Sequence, residues 1–336
     1  MNRTITSIEV AKRAGVSQST VSRVFSENSP NVSDKARQKV LRAAQELGYQ
    51  PNIIARMMST SQTNIIGIVM ATITSPFYPY VLEKFLSELQ TIDRQVLLFT
   101  ASENQSVDEL LPLILQYQVD ALIVTSATLS SEMVDISRQS ATPVILFNRS
   151  INNPNVSAVC ADNIAGGAQV ADVLLNTGHE TLAFVAGLQN TSTSQEREQG
   201  FTQRLQEQGY SQLQRVQGHY TYDSGYRATQ SLLHSNTPPD AIFCANDIMA
   251  IGAIDAIRAE GLHVGLDVSV IGFDNIPMAN WGAYQLTTIS QDVDTMIQRT
   301  IDVMLNKIEH PDSACETSRV KGNLIVRQSV KNLSRE

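Results

Sequence analysis

Gln18, Ser19 and Thr20 stand side by side one turn before Arg23. At the start of a helix such groups reach base edges, where Gln can pair bidentately with adenine and Arg with guanine. Ser17 and Ser22, with the first helical amides, suit phosphate oxygens, which position a protein on a duplex without reading sequence. Thr6 belongs to the same DNA-facing set. A second group is scattered farther along the chain. Phe77 and Tyr78 carry aromatic faces able to stack on the apolar side of a sugar ring, and Arg149, Asp162, Arg197, Asn246 and Asp274 can fork onto hydroxyls. Apolar walls with a few polar anchors are the general form of a small-molecule site. Helix capping or strand-end bonding is the alternative account of Asp162, Asn246 and Arg149. Trp281, the only tryptophan, fits either a pocket wall or a buried core position.

Catalytic and metal chemistry find no comparable anchors. The five histidines (179, 219, 234, 263 and 310) never fall at metal-ligand spacing. GxSxG, Walker and GxGxxG patterns are absent, and Gly166-Gly167 is only a glycine pair at a helix start. The reading is therefore a binding protein and not an enzyme, with no metal and no cofactor. Cys160, Cys244 and Cys315 are odd in number and far apart, which suits reduced thiols in a cytoplasmic chain.

The elements that position the first set are short helices. Thr6 and Glu9 have capping-box spacing, and Ile8, Val10, Ala11 and Ala14 follow as an apolar face. Gly15 is the stop, because a left-handed residue costs a non-glycine about 1 kcal/mol. Ser17 caps a second helix over residues 18–25, with Val21 and Val24 inward. A third runs from about 33 to 47 with Ala36, Val40, Ala43, Ala44 and Leu47 buried and Gly48 as its stop. Two helices joined by a glycine turn with a third across them make a helix-turn-helix.

Residues 8–17, 19–24, Val32-Ser33 and the run Gly48-Tyr49-Gln50-Pro51-Asn52 resemble the DNA-binding head of lactose-repressor/galactose-repressor (LacI/GalR) regulators. That resemblance implies a hinge helix after the third helix, entering the minor groove of paired half-sites. Asn52 would stand at its start, small Ala55 would allow close approach, and Met58 would be the apolar wedge that kinks the duplex. Family members usually have Leu at that last position, and Met has more rotamers to freeze.

From Asn64 onward the pattern changes. Apolar runs at 65–70, 95–99, 121–124, 143–147, 182–185, 241–244 and 268–271 alternate with helical stretches. Buried strands separated by helices predict parallel sheets covered on both faces, here in two similar lobes with ligand edges at the strands' carboxyl ends. Ser75-Pro76-Phe77-Tyr78, Asn148-Arg149, Arg197-Glu198-Gln199-Gly200-Phe201, Ala245-Asn246-Asp247 and Gly272-Phe273-Asp274-Asn275 resemble the same family's core, which is similar to periplasmic sugar-binding proteins. Gln285 departs from it, since proline commonly precedes Leu-Thr-Thr there.

The expected organisation is an all-α helix-turn-helix head over 1–50, a hinge or linker over 51–62, and a two-lobed α/β effector-binding and dimerisation domain over 63–336. The charge is divided the same way. Residues 1–60 carry nine Lys/Arg against four acids, and the rest of the 336 residues sixteen against twenty-nine. A basic head on an acidic body is expected where only the head touches a polyanion. No 20-residue apolar run suggests a membrane span. The expected protein is a homodimeric, cytoplasmic transcription repressor. It would bind a pseudo-palindromic operator in double-stranded DNA under control of a sugar-like effector. A sugar-binding transport component is the alternative, disfavoured by the basic head. Replacing Asp274 or Arg197 by alanine is expected to remove the effector response while leaving the fold and operator binding.

Overall fold

The computed structural model describes residues 5–25, 32–49, 63–70, 75–100, 107–125, 130, 134–136 and 139–331, in two units, 1–63 and 64–336. In the first unit α1 (Ser7–Ala14), α2 (Gln18–Val24) and α3 (Asp34–Leu47) close on a small core of Val10, Val21, Val24, Val40 and Ala43. The capping box is present: the Glu9 amide donates to Thr6 Oγ1 at 3.4 Å, and the Thr6 amide donates to the Glu9 carboxylate at 2.8 Å. Gly15, at φ 66°, ends α1 in the left-handed conformation, and Ser17 caps α2. Ile8 departs from expectation at 61% exposed. It lies roughly a third of a turn from the centre of the Val10, Ala11 and Ala14 stripe, and so faces water. Ala36 and Leu47 are half-buried rather than buried.

The second unit begins with β1 (Ile65–Met70), α4 (Phe77–Thr91), β2 (Gln95–Thr100), α5 (Val107–Gln116), β3 (Ala121–Val124), β4 (Val144–Phe147) and β5 (Ser157–Ala161). It continues through α6 (Asn163–Asn176), β6 (Leu182–Ala186), α7 (Ser192–Glu207), β7 (Gln214–Gln217), α8 (Tyr222–Leu233), β8 (Ala241–Cys244), α9 (Asp247–Ala259), β9 (Ser269–Asp274) and β10 (Thr287–Ser290). Last come α10 (Val293–Glu309), β11 (Thr317–Val320) and β12 (Asn323–Ile325). Among the described residues these strands form two six-stranded sheets, ordered β11-β5-β4-β3-β1-β2 and β12-β10-β9-β8-β6-β7. The first is parallel throughout. The second is parallel except where β12 pairs antiparallel with β10. Strands β3, β6 and β8 are buried apolar runs, as a sheet covered on both faces requires.

The chain passes between the lobes at residues 161–163, 290–293 and 320–323. These passages are neighbours: the Asp162 amide donates to the Val320 carbonyl at 2.7 Å, and Ser290 pairs with Asn323. The last long helix returns to the first lobe, where α10 packs on α4, β4 and β5 and Asp294 pairs with Lys84 at 2.9 Å. In the second lobe, helices α6 and α7 meet through Gly167 and Gly200. A Cβ on Gly200 would stand 2.0 Å from the Ile164 carbonyl oxygen, and one on Gly167 would stand 2.3 Å from that of Arg197. Gly166-Gly167 therefore serves helix packing. Gly225 and Gly252 bring α8 and α9 together in the same way.

Candidate functional site

In the first unit, Gln18, Ser19, Ser22 and Arg23 are exposed on one helix, with Thr20 half-buried beside them. Val21 and Val24 fix the opposite face in the core. Ser17 Oγ accepts from the Thr20 amide at 3.2 Å and bonds the Ser19 and Thr20 hydroxyls at 2.8 and 2.9 Å, so the start of α2 is held before any duplex approaches. Gln18 donates to Ser7 Oγ at 3.2 Å, a bond that ties the start of α2 to the start of α1. Thr6 is committed to its capping box. Asn52, Ala55 and Met58 lie outside the described residues.

In the second unit the strand ends bring side chains of both lobes together. Arg197, 2% exposed, donates from Nε to Asn163 Oδ1 at 2.9 Å, from Nη1 to the Ala245 carbonyl at 2.6 Å and from Nη2 to Asp274 Oδ1 at 3.1 Å. Its guanidinium also lies 3.7 Å from the centroid of the Phe273 ring. Asp274 further accepts from Gln291 Nε2 at 2.7 Å. Burial raises the Asp274 carboxyl above its ordinary pKa, and Arg197 and Gln291 oppose that rise. The backbone here is strained: Asp274 has φ 119° and Asn275 φ 54°. Such conformations cost about 1–3 kcal/mol each and persist where the surroundings over-determine them, commonly at ligand sites.

The first lobe contributes Arg149 and Tyr78. Asn148 leaves β4 at φ 58° and turns the chain so that Arg149 is buried, at 8% exposure. Arg149 donates to the Thr193 hydroxyl across the cleft and to the Tyr78 hydroxyl at 3.3 Å, and it lies 5.8 Å from the Tyr220 ring centroid. The Ser150 amide reaches Ser192 Oγ at 3.0 Å, also between lobes. Phe77 is packed in the core with its ring edge-on to Tyr78, so Tyr78 is the aromatic of that pair with a polar atom at the cluster. Asp162 and Asn246 are helix N-caps, accepting from the Ala165 and Met249 amides at 3.1 and 3.2 Å. Trp281 is 57% exposed, in a loop beyond the Pro277–Asn280 turn. An open groove of about 470 Å³ beside β7 and α8 shares no residue with this cluster.

Thr193, Tyr220, Asn163 and Gln291 join the site without having been singled out from the sequence. The polar run over 190–195 ahead of Arg197 is the signal that could have found Thr193. Gln291 follows a strand too short and polar to stand out.

Asp247 lies behind the cluster, accepting from the Thr288 hydroxyl at 2.6 Å and the Ile276 amide at 2.8 Å. Burial, then the Asp274 carboxylate, push its pKa from 3.8 up to about 7. The folded protein thus holds a proton there that the unfolded chain releases above about pH 4. Stability from this group is complete below that pH and is lost as pH rises through 7. Asp247→Asn, which can bond both partners without a charge, is expected to flatten the fall in melting temperature between pH 5 and pH 8. Asp274, shifted the same way, leaves a smaller slope. Thermal unfolding of both proteins across that range checks this, and parallel curves would contradict it.

Residues 7–52 match the family model for bacterial regulatory proteins of the lacI family, and residues 171–330 match that for a periplasmic binding protein-like domain. The HTH-type transcriptional repressor PurR of Mannheimia succiniciproducens is 30% identical over 332 residues, spanning 97% of this chain and 98% of that protein. The crystal structure of the Lac repressor dimer bound to operator and the anti-inducer ONPF superposes with a TM-score of 0.89 at 25% identity, covering 98% of this chain and all of that one. The transcriptional regulator CelR in complex with cellobiose gives a TM-score of 0.73 at 29% identity, over 97% of this chain and 99% of that one.

Proposed function

The chain belongs to the LacI family of bacterial regulatory proteins, and from that membership we propose that it is a homodimeric transcription repressor whose grip on its operator is set by a sugar-like metabolite held between the two lobes. One observation supports this above the rest. The same chain carries a capped helix presenting Gln18, Ser19 and Arg23 to solvent and a two-lobed unit whose strand ends converge on Arg149, Arg197 and Asp274. A transport component needs the second feature and has no use for the first. The protein acts by binding, without turnover, in the cytoplasm. No helix among the described residues is long and apolar enough to cross a membrane.

In this reading Gln18, Ser19 and Arg23 read bases, Ser17, Thr20 and Ser22 hold phosphates, and Asn52, Ala55 and Met58 enter the minor groove. Tyr78, Arg149, Arg197 and Asp274 hold the effector. Groups from both lobes meet on the ligand, so occupancy favours one lobe angle over another; a ligand binding both arrangements equally would shift nothing. Residues 51–62 directly precede β1 in the sequence, so the first lobe passes its movement to them.

Two identical heads imply an approximately palindromic operator. Selection from random DNA is expected to return such a site. Substituting Gln18 or Ser19 is expected to change the preferred bases, with about 1–3 kcal/mol lost per spoiled contact. Recovery of the same site by the substituted proteins would remove these residues from base reading.

A further inference from the structure

The polar groups of the cleft fall into two chemically different sets. Around Arg197 donors and acceptors are mixed: the guanidinium and the Gln291 amide donate, while the Asp274 carboxylate, Asn163 Oδ1 and the Ala245 carbonyl accept. A sugar hydroxyl, which both gives and takes a hydrogen bond, suits such a set. Around Arg149 the composition differs. Its polar neighbours are the hydroxyls of Tyr78 and Thr193, and Thr193 is in turn bonded to the Tyr220 hydroxyl at 3.1 Å. No carboxylate among the described residues lies within ion-pair distance of Arg149: the Asp274 carboxylate, paired with Arg197, acts on it only from farther away, and the Arg149 Nε is buried without an acceptor.

Two other guanidiniums near the cleft are matched by carboxylates. Arg197 pairs with Asp274 at 3.1 Å, and Arg319 pairs with Glu196 at 2.8 Å. Asp274 oxygen Oδ1 is already shared by Arg197 and Gln291. A guanidinium remains charged at any physiological pH, and a buried charge without a counter-charge is costly. The hydroxyls around it are weak substitutes, because each can instead turn its proton toward an incoming oxyanion. Arg149 reaches Thr193 from the opposite lobe, so separating the lobes uncovers both at once.

We propose that the effector is an acidic sugar derivative, its hydroxyls meeting Asp274, Arg197 and Gln291 and its carboxylate or phosphate meeting Arg149 with the hydroxyls of Tyr78, Thr193 and Tyr220. This rests on the reading that the cleft is the effector site. The anion supplies Arg149 with the close counter-charge that Asp274, already paired with Arg197, does not, and it ties Arg149 of one lobe to Thr193 and Tyr220 of the other.

Titration calorimetry of the full-length protein against matched pairs tests the assignment: glucuronate with glucose, galacturonate with galactose, and ribose 5-phosphate with ribose. At least one acidic member is expected to bind tenfold or more tighter than its neutral partner, with affinity falling as salt rises. The arm that binds, uronate or phosphate, identifies the anion. Arg149→Gln is expected to weaken that ligand about tenfold or more, and Arg149→Lys to restore part of the loss. Neutral members binding as tightly, no acidic member binding, or unchanged affinity in Arg149→Gln would each overturn the proposal. Asp274→Asn separates the two levels. If it abolishes binding while Arg149→Gln does not, only the acidic assignment fails. If neither variant affects a bound ligand, the cleft is not the effector site.

Discussion

Arg197→Ala is expected to lower the stability of the 64–336 unit by about 3–5 kcal/mol, measured by urea unfolding, as well as to abolish the effector response. From the sequence the residue reads as a ligand anchor whose loss spares the fold. In the structure it joins α7 to the start of α6, to the carbonyl after β8 and to the end of β9. Its removal leaves the buried Asp274 carboxylate without its counter-charge and the strained Asp274-Asn275 backbone without one of its ties. Asp274→Asn is milder, since the amide keeps an acceptor for Arg197 or Gln291. That variant is the better probe of coupling, expected to bind operator and to ignore the effector. A loss below 1 kcal/mol in Arg197→Ala would show that the guanidinium belongs to the ligand alone.

Gly200→Ala is expected to cost about 1–3 kcal/mol or more, the range for overpacking a close-packed contact. Ordinary helix interiors gain slightly from this exchange, by roughly 0.5–1 kcal/mol, so even the sign is diagnostic. The added methyl would meet the Ile164 backbone at 2.0 Å, and backbone cannot swing aside as a side chain can. Helices α6 and α7 must then part, taking Asn163 from Arg197. Gly282→Ala, where no atom lies within 4 Å, serves as the control and is expected to be neutral. Equal melting temperatures for the two variants would refute the close contact.

The strands legible in the sequence are those whose burial is written as an unbroken apolar run, such as Ile65–Met70 and Ala241–Cys244. The others carry little of that signal. Ser157–Ala161 is buried but built from small residues. Gln214–Gln217, Thr317–Val320 and Asn323–Ile325 are sheet edges with polar, partly exposed faces. That β11 belongs to the first sheet and β12 to the second depends on pairings made by distant segments, which local pattern does not record. The site follows the same division. Arg197 and Asp274 stand in strong local motifs, whereas Thr193 and Tyr220 matter because the opposite lobe places Arg149 against them. Asp162 and Asn246 remained ambiguous in the sequence because a capping residue and a ligand anchor have the same side chain at the same strand-to-helix junction.

The three passages between the lobes bear on how the protein is made. The first lobe needs β1–β5 and also α10 and β11, with residues 162–292 of the second lobe between them. A ribosome adding about 5–20 residues per second delivers that intervening stretch over on the order of ten seconds. During that time the second lobe can complete its helix pairs and most of its sheet. The earlier segment waits, its β4 and β5 surface still without Met296, Ile297, Ile301 and Met304 of α10. The lobe that begins first in synthesis therefore waits longest for its missing helix and strand, and the nascent chain's need for a chaperone is concentrated on it.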